Sequence, residues 1–252
     1  MKIKALIFDV DGTLADTEEA HRRAFNRAFE RHKLAWHWSA HEYARLLKVT
    51  GGKERIGAYV DSLTIDAAER RALQAQISAI HQTKTDNYTQ LIREGLVPLR
   101  EGVARLIDEA ERAGVSVSIA STTTLANIEA LLSVNLGRDA LNCFSVIGAA
   151  DQAQRKKPAP DIFEYVLNEL QECAADCVAI EDSANGLAAA KGAGLFTVIT
   201  PSQWTRGEDF GGADLVLPSL GSSPHPLRDI ENHFSLARER GWRAHSTAVG
   251  EL

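Results

Sequence analysis

Short apolar runs recur along the chain, separated by stretches with a different period. Lys4–Phe8 (KALIF) stops at Asp9, and Val115–Ala120 (VSVSIA), Phe144–Ile147 (FSVI), Cys177–Ile180 (CVAI) and Phe196–Ile199 (FTVI) follow. Runs of this length, with little polar interruption, predict strands covered on both faces. Helical spacing fills the gaps. Glu101–Ala113 puts Val103, Leu106, Ile107 and Ala110 on one face and stops at Gly114; Asp161–Leu170 and Ala184–Ala193 repeat the pattern. Strands alternating with helices predict an α/β fold built on an open parallel sheet, with ligands at the carboxyl ends of the strands.

The alternation fails between about Thr17 and Gly95, where only helical segments are legible. The last of these, Ile65–Glu94, carries no Pro or Gly and is rich in Ala, Gln, Arg and Leu. The expected organisation is a Rossmann-like core over residues 1–16 and 96–222 and an all-α insert over 17–95. A peripheral tail over 223–252, with a poorly ordered end, completes it. Trp36 and Trp38 are expected to pack inside the insert.

Composition narrows the function classes. Of 252 residues, 44% are hydrophobic and 25% charged, and the formal charge is −6, which gives no support to generic nucleic-acid binding. No apolar run reaches the roughly 20 residues needed to span a bilayer, and the start lacks the pattern of a secretory signal. The expected setting is cytoplasmic, or a stroma-like organelle compartment for a processed form, with a monomer as the default. Cys143, Cys173 and Cys177 suggest no disulfide framework; Cys173 and Cys177 read as two buried thiols.

Candidate chemistry sits where strands end. Asp9-Val10-Asp11-Gly12-Thr13 follows the first strand, so one carboxylate can face a metal and substrate while the next reaches the other side of a reacting phosphorus. A solvated Asp-Gly turn is the plain alternative. An EF-hand is excluded, because its twelfth position would be Ala20 rather than Glu. Ser121 and Thr122 follow the second strand and offer hydroxyls and backbone N–H groups to an anion, or else an ordinary helix cap. Lys157 precedes Pro158 and could pair with a phosphate and a carboxylate. Glu181 and Asp182 end the fourth strand, suited to Mg²⁺ through oxygen ligands, or with Asp182 as a helix cap. The Gly51-Gly52-Lys53 stretch lacks P-loop spacing.

Taken together, acid pair, hydroxyl, lysine and acid pair in this order resemble the haloacid dehalogenase superfamily. Asp11–Glu19, His21–Asn26, Thr50–Arg55, Ala120–Thr124 and Glu181–Gly186 look closest to its CbbY-like sugar-phosphate phosphatases. The resemblance implies a helical cap and a Mg²⁺-dependent hydrolysis through an aspartyl phosphate, with a small phosphosugar as partner, such as xylulose 1,5-bisphosphate. Asp9 would be the nucleophile and Asp11 the acid/base. Ser121, the Thr122 N–H and Lys157 would hold phosphoryl oxygens. The metal would be held by Asp9, the Asp11 carbonyl and Asp182, with Glu181 bound directly or one layer behind. Cap residues Thr17, Glu18, His21, Lys53, Arg55 and Lys84 would contact substrate, their cations favouring a bisphosphate. A β-phosphoglucomutase-like mutase with the same Asp9 and Asp11, and a non-catalytic phosphosugar-binding protein, remain alternatives.

Overall fold

The apolar runs become strands of one sheet. The computed structural model describes residues 2–49 and 51–244, which fall into two compact units, Met1–Asp16 with Pro98–Leu252, and Thr17–Val97. The expected poor order of the extreme carboxyl terminus concerns residues outside those described.

In the first unit, β1 (Ala5–Phe8), β2 (Ser116–Ala120), β3 (Val146–Gly148), β4 (Cys177–Glu181), β5 (Phe196–Ile199) and β6 (Leu215–Val216) form a parallel sheet in the order β3-β2-β1-β4-β5-β6. The order reverses at β1, which lies between β2 and β4. That reversal opens a crevice at the carboxyl ends of the central strands. β1 and β4 are buried along their whole length, which explains why they read as unbroken apolar text. Alternation splits β1 between two faces. Ala5 and Ile7 join a core with Ile162, Phe163, Val166 and Leu195, while Leu6 and Phe8 face the other way and are also fully buried.

Helices cover the sheet: α5 (Val103–Ala113), α6 (Leu125–Leu136), α7 (Asp161–Leu170) and α8 (Ala184–Gly192). α5 buries Val103, Leu106, Ile107 and Ala110 and ends at Gly114, as its spacing predicts. Beyond the sheet, α9 (Pro226–Glu239) corrects the expectation of a peripheral tail. Its Leu227, Ile230 and Phe234 are buried, it packs on α5, and Phe234 meets Phe196 edge-on at 5.3 Å. The sixth strand is also new; two residues are too few to leave a periodic signal in the sequence.

The second unit is all-α: α1 (Thr17–Arg31), α2 (Ala40–Leu46), α3 (Gly52–Ser62) and α4 (Ala67–Arg93). Asp66 caps α4 by accepting from the N–H groups of Ala68 and Glu69. Only the carboxyl half of α4 is buried, through Ile80, Lys84, Asn87, Tyr88, Leu91 and Ile92, where it packs along α1. Trp38 is fully buried against Phe25 and Phe29, and Trp36 meets Phe29 and Tyr59 edge-on, so both tryptophans are packing residues. Of the cysteines, only Cys177 is buried; Cys173 is exposed, which corrects the reading of two buried thiols. Cys177 opens a central strand, whereas Cys173 lies in the loop before it.

Candidate active site

The register of β1 brings the predicted residues together. Phe8 pairs with Ile119 on one side and Ile180 on the other, so Asp9 emerges beside Ala120 and Glu181. Its N–H donates to the Ile180 carbonyl at 3.0 Å. Lys157, 148 residues away in sequence, donates from Nζ to Asp9 Oδ1 at 2.6 Å, to Glu181 Oε1 at 2.5 Å and to the Ala120 carbonyl at 2.9 Å. Its ring-facing side lies 4.8 Å from the centre of Phe163.

Asp9, Glu181 and Asp182 each present a carboxylate oxygen within 4.8 Å of the others, and all three are buried. Burial penalises these charges. It raises the pKa of Asp9 against the pull of Lys157, pushes Glu181 up to about 7, and holds Asp182 well above the usual carboxylate range, with Glu181 and Asp9 adding repulsion. Burial also opposes the Lys157 ammonium, but Asp9 and Glu181 outweigh it and raise its pKa. Three buried carboxyl groups thus converge, Asp9 and Glu181 on the Lys157 ammonium and Asp182 near the Arg100 charge, and they line the crevice with hard oxygen donors. That donor set fits a divalent cation such as Mg²⁺.

Backbone geometry enforces the cluster. Gly12 has φ 90°, and a Cβ there would stand 2.2 Å from Asp182 Oδ2, so the loop after β1 approaches Asp182 only because residue 12 has no side chain. A Cβ on Gly186 would fall 2.0 Å from the Glu181 carboxylate. Asp182 is not the cap of α8. Ser183 holds that role, accepting from the Gly186 N–H at 3.1 Å, which leaves the Asp182 carboxylate to the crevice. Likewise Thr124, not Ser121, stands at the start of α6. Ser121 is buried at the end of β2, its N–H donating to the Gly148 carbonyl and its hydroxyl accepting from the Thr123 N–H at 3.3 Å. Thr122 is half-buried beside it. Asp11 lies in the loop that Gly12 turns, outside the three-carboxylate cluster.

The predicted residues of the helical unit form their own group. The Lys84 ammonium can only donate, so its 2.7 Å contact with His21 Nδ1 leaves the His21 proton on Nε2. Burial first, then the Lys84 charge, lowers the His21 pKa well below its ordinary value, so the ring is neutral. His21 stacks on Tyr88 at 3.9 Å, and Lys84 lies 5.0 Å from the rings of Phe25 and Tyr88. Arg55 donates to the Tyr43 hydroxyl at 2.9 Å, which donates to Glu18 Oε2 at 2.6 Å. Thr17 is buried at the start of α1, while Lys53 is exposed on α3.

Sequence reasoning missed Tyr43, which sets the Arg55 geometry. It also missed the loop after β5, where Thr205 donates to Asp182 Oδ2 at 3.2 Å. No residue-level motif marks either; a buried aromatic with a hydroxyl and a Ser/Thr pair after a strand are both common.

A family model described as haloacid dehalogenase-like hydrolase matches residues 3–194. Protein CbbY, plasmid, of Cupriavidus necator is 50% identical over 252 residues, covering 98% of this chain and 99% of that one. Among solved structures, CbbY from Rhodobacter sphaeroides in complex with phosphate superposes with a TM-score of 0.79 at 46% identity, covering 90% of this chain and 99% of that one. A mutant of the same CbbY in complex with xylulose 1,5-bisphosphate gives 0.78 at 46% identity, over 87% and 95% of the two chains. With a family match over residues 3–194 and near end-to-end similarity to CbbY, this chain belongs to the haloacid dehalogenase-like hydrolases and is a phosphatase of the CbbY type.

Proposed function

We propose that this phosphatase hydrolyses a pentulose bisphosphate, with xylulose 1,5-bisphosphate as the favoured substrate, through a phosphorylated Asp9. The observation that carries the chemistry is the buried contact of Asp9 with Lys157 inside the three-carboxylate cluster. The substrate reading rests on the complex of the Rhodobacter sphaeroides relative and on the basic group of the helical unit.

Lys157 orients the Asp9 carboxylate and, against burial, favours the ionised form that attacks. Asp9 forms a bond to phosphorus as the bond to the sugar oxygen breaks, and a protonated Asp11 gives its proton to that departing oxygen. Water then attacks the phosphorus, its proton passes to Asp11, and the Asp9–phosphorus bond breaks to release phosphate. Acid/base help of this kind contributes about 10²–10⁴-fold. The Ser121 hydroxyl, the Thr122 N–H and the Lys157 ammonium hold the equatorial oxygens. Asp9, Asp182 and the Asp11 carbonyl, with Glu181, are the groups that would hold Mg²⁺, which when bound offsets repulsion between carboxylate and phosphate. Arg55, Lys84 and the neutral His21, with Thr17, Glu18 and Lys53, would receive the phosphate that does not react.

The test is a phosphate-release screen over phosphosugars, pentulose bisphosphates included, with and without Mg²⁺. Release from a pentulose bisphosphate that requires Mg²⁺ and vanishes in Asp9→Asn is expected. An Asp9→Asn protein with near-normal turnover would overturn the covalent route. Isomerised hexose phosphate in place of free phosphate would assign the site to a mutase instead.

A further inference from the structure

Arg100 follows the helical insert in sequence and lies outside every predicted motif, yet its guanidinium ties together two loops of the crevice. It donates to the Gly12 carbonyl, to the Thr200 carbonyl at 2.7 Å and hydroxyl at 3.2 Å, and to the Pro201 carbonyl at 2.9 Å. Its Nε stands 3.6 Å from Asp16, and its own N–H donates to the Leu14 carbonyl. Gly12 belongs to the loop after β1 and Thr200–Pro201 to the loop after β5.

The β5 loop in turn grips Asp182. The Thr205 hydroxyl accepts from the Ser202 N–H at 2.9 Å and donates to Asp182 Oδ2 at 3.2 Å, and the Ser202 side chain also hydrogen-bonds Asp182. The Ser202 hydroxyl lies 3.1 Å from Thr205 Oγ1 and accepts from the Trp204 N–H. The contacts therefore close on themselves. Arg100 holds Gly12; Gly12 backs onto Asp182 Oδ2; Asp182 is held by Thr205; Thr205 leads through Ser202 to Pro201; and Pro201 returns to Arg100.

We propose that Arg100 and Thr205 are positioning residues that together set the Asp182 carboxylate for the divalent cation, by fixing the β1 and β5 loops against each other. This inference rests on Asp182 being a metal ligand. The planar, multi-donor guanidinium matters as well as the charge, because acceptors on two loops are held at once. A lysine presents one compact point of charge and cannot span them.

The decisive measurement is Mg²⁺ binding by titration calorimetry on the full chain, beside kcat and KM for phosphate release and thermal melting. Arg100→Gln, Arg100→Lys and Thr205→Val should each weaken Mg²⁺ binding by about 10–100-fold, the range typical when a partner of a metal ligand is removed. Thr205→Ser, which keeps the hydroxyl, should restore it. At saturating Mg²⁺ the KM for substrate should stay close to that of the parent protein. If Arg100→Gln does not melt cooperatively, the Thr205→Val and Thr205→Ser pair decides. Parent-like Mg²⁺ affinity in folded Arg100→Gln and Thr205→Val would overturn the clamp while leaving the metal site standing. A parent protein that takes up no Mg²⁺ would overturn the metal assignment and the clamp with it.

Discussion

Gly12→Ala tests whether the crevice depends on the bare backbone beside Asp182. The new methyl would stand 2.2 Å from Asp182 Oδ2, where ordinary contact begins near 3.4 Å. Either the carboxylate or the loop must therefore retreat by about 1.2 Å, and a misplacement of about 1 Å in a catalytic constellation costs about 10²-fold in rate. The φ of 90° adds a second cost, about 1–2 kcal/mol for an L-residue in the left-handed region. For a domain of this size that corresponds to a melting temperature lower by about 2–8 °C. Phosphate release at saturating substrate and Mg²⁺ should show kcat reduced about 100-fold, in a protein that still unfolds cooperatively. A Gly12→Ala protein with parent kcat would refute the argument, because it would mean that the Asp182 carboxylate can move without consequence.

Two further outcomes follow from single contacts. Tyr43→Phe deletes the hydroxyl that receives Arg55 and donates to Glu18; steady-state kinetics should show KM up about 10-fold with kcat nearly unchanged, and an unchanged KM would separate Arg55 from substrate binding. Cys177 gives an alkaline signature. Burial, with Glu172 and Asp176 nearby, pushes its thiol from 9.0 up to about 12, so the folded protein keeps the proton that the unfolded chain loses. Stability from this group is intact below about pH 9 and falls as pH rises toward 12. Between pH 8 and pH 10, urea unfolding should show the parent losing up to about 1.4 kcal/mol more than Cys177→Ala; equal losses would contradict it.

Much of the candidate crevice is legible in the sequence because its acidic residues lie next to fully buried strands. An unbroken apolar run that ends in Asp9, or in Glu181 and Asp182, gives the strand and the site in one signal. Lys157 carries a weaker mark, a lysine before Pro158 that could pair with a phosphate and a carboxylate, and the sheet order brings it to the Asp9 carboxylate. Arg100 and Thr205 were not legible, since their partners are backbone carbonyls and a carboxylate supplied by distant segments. β6 is too short to read. α9 falls on polar text of helical character that reads as peripheral, whereas Leu227, Ile230 and Phe234 recur at helical spacing and are buried. Cys173 and Cys177 lie four apart in sequence, but a strand boundary separates them, so Cys177 is buried in β4 and Cys173 stays exposed in the loop.

The two outermost strands of the sheet are its shortest, three residues in β3 and two in β6. An edge that brief exposes few unsatisfied amides, so a neighbouring molecule finds almost no ladder to extend. The sheet thus limits its own growth into aggregates through brevity, without needing charged gatekeepers along its rims.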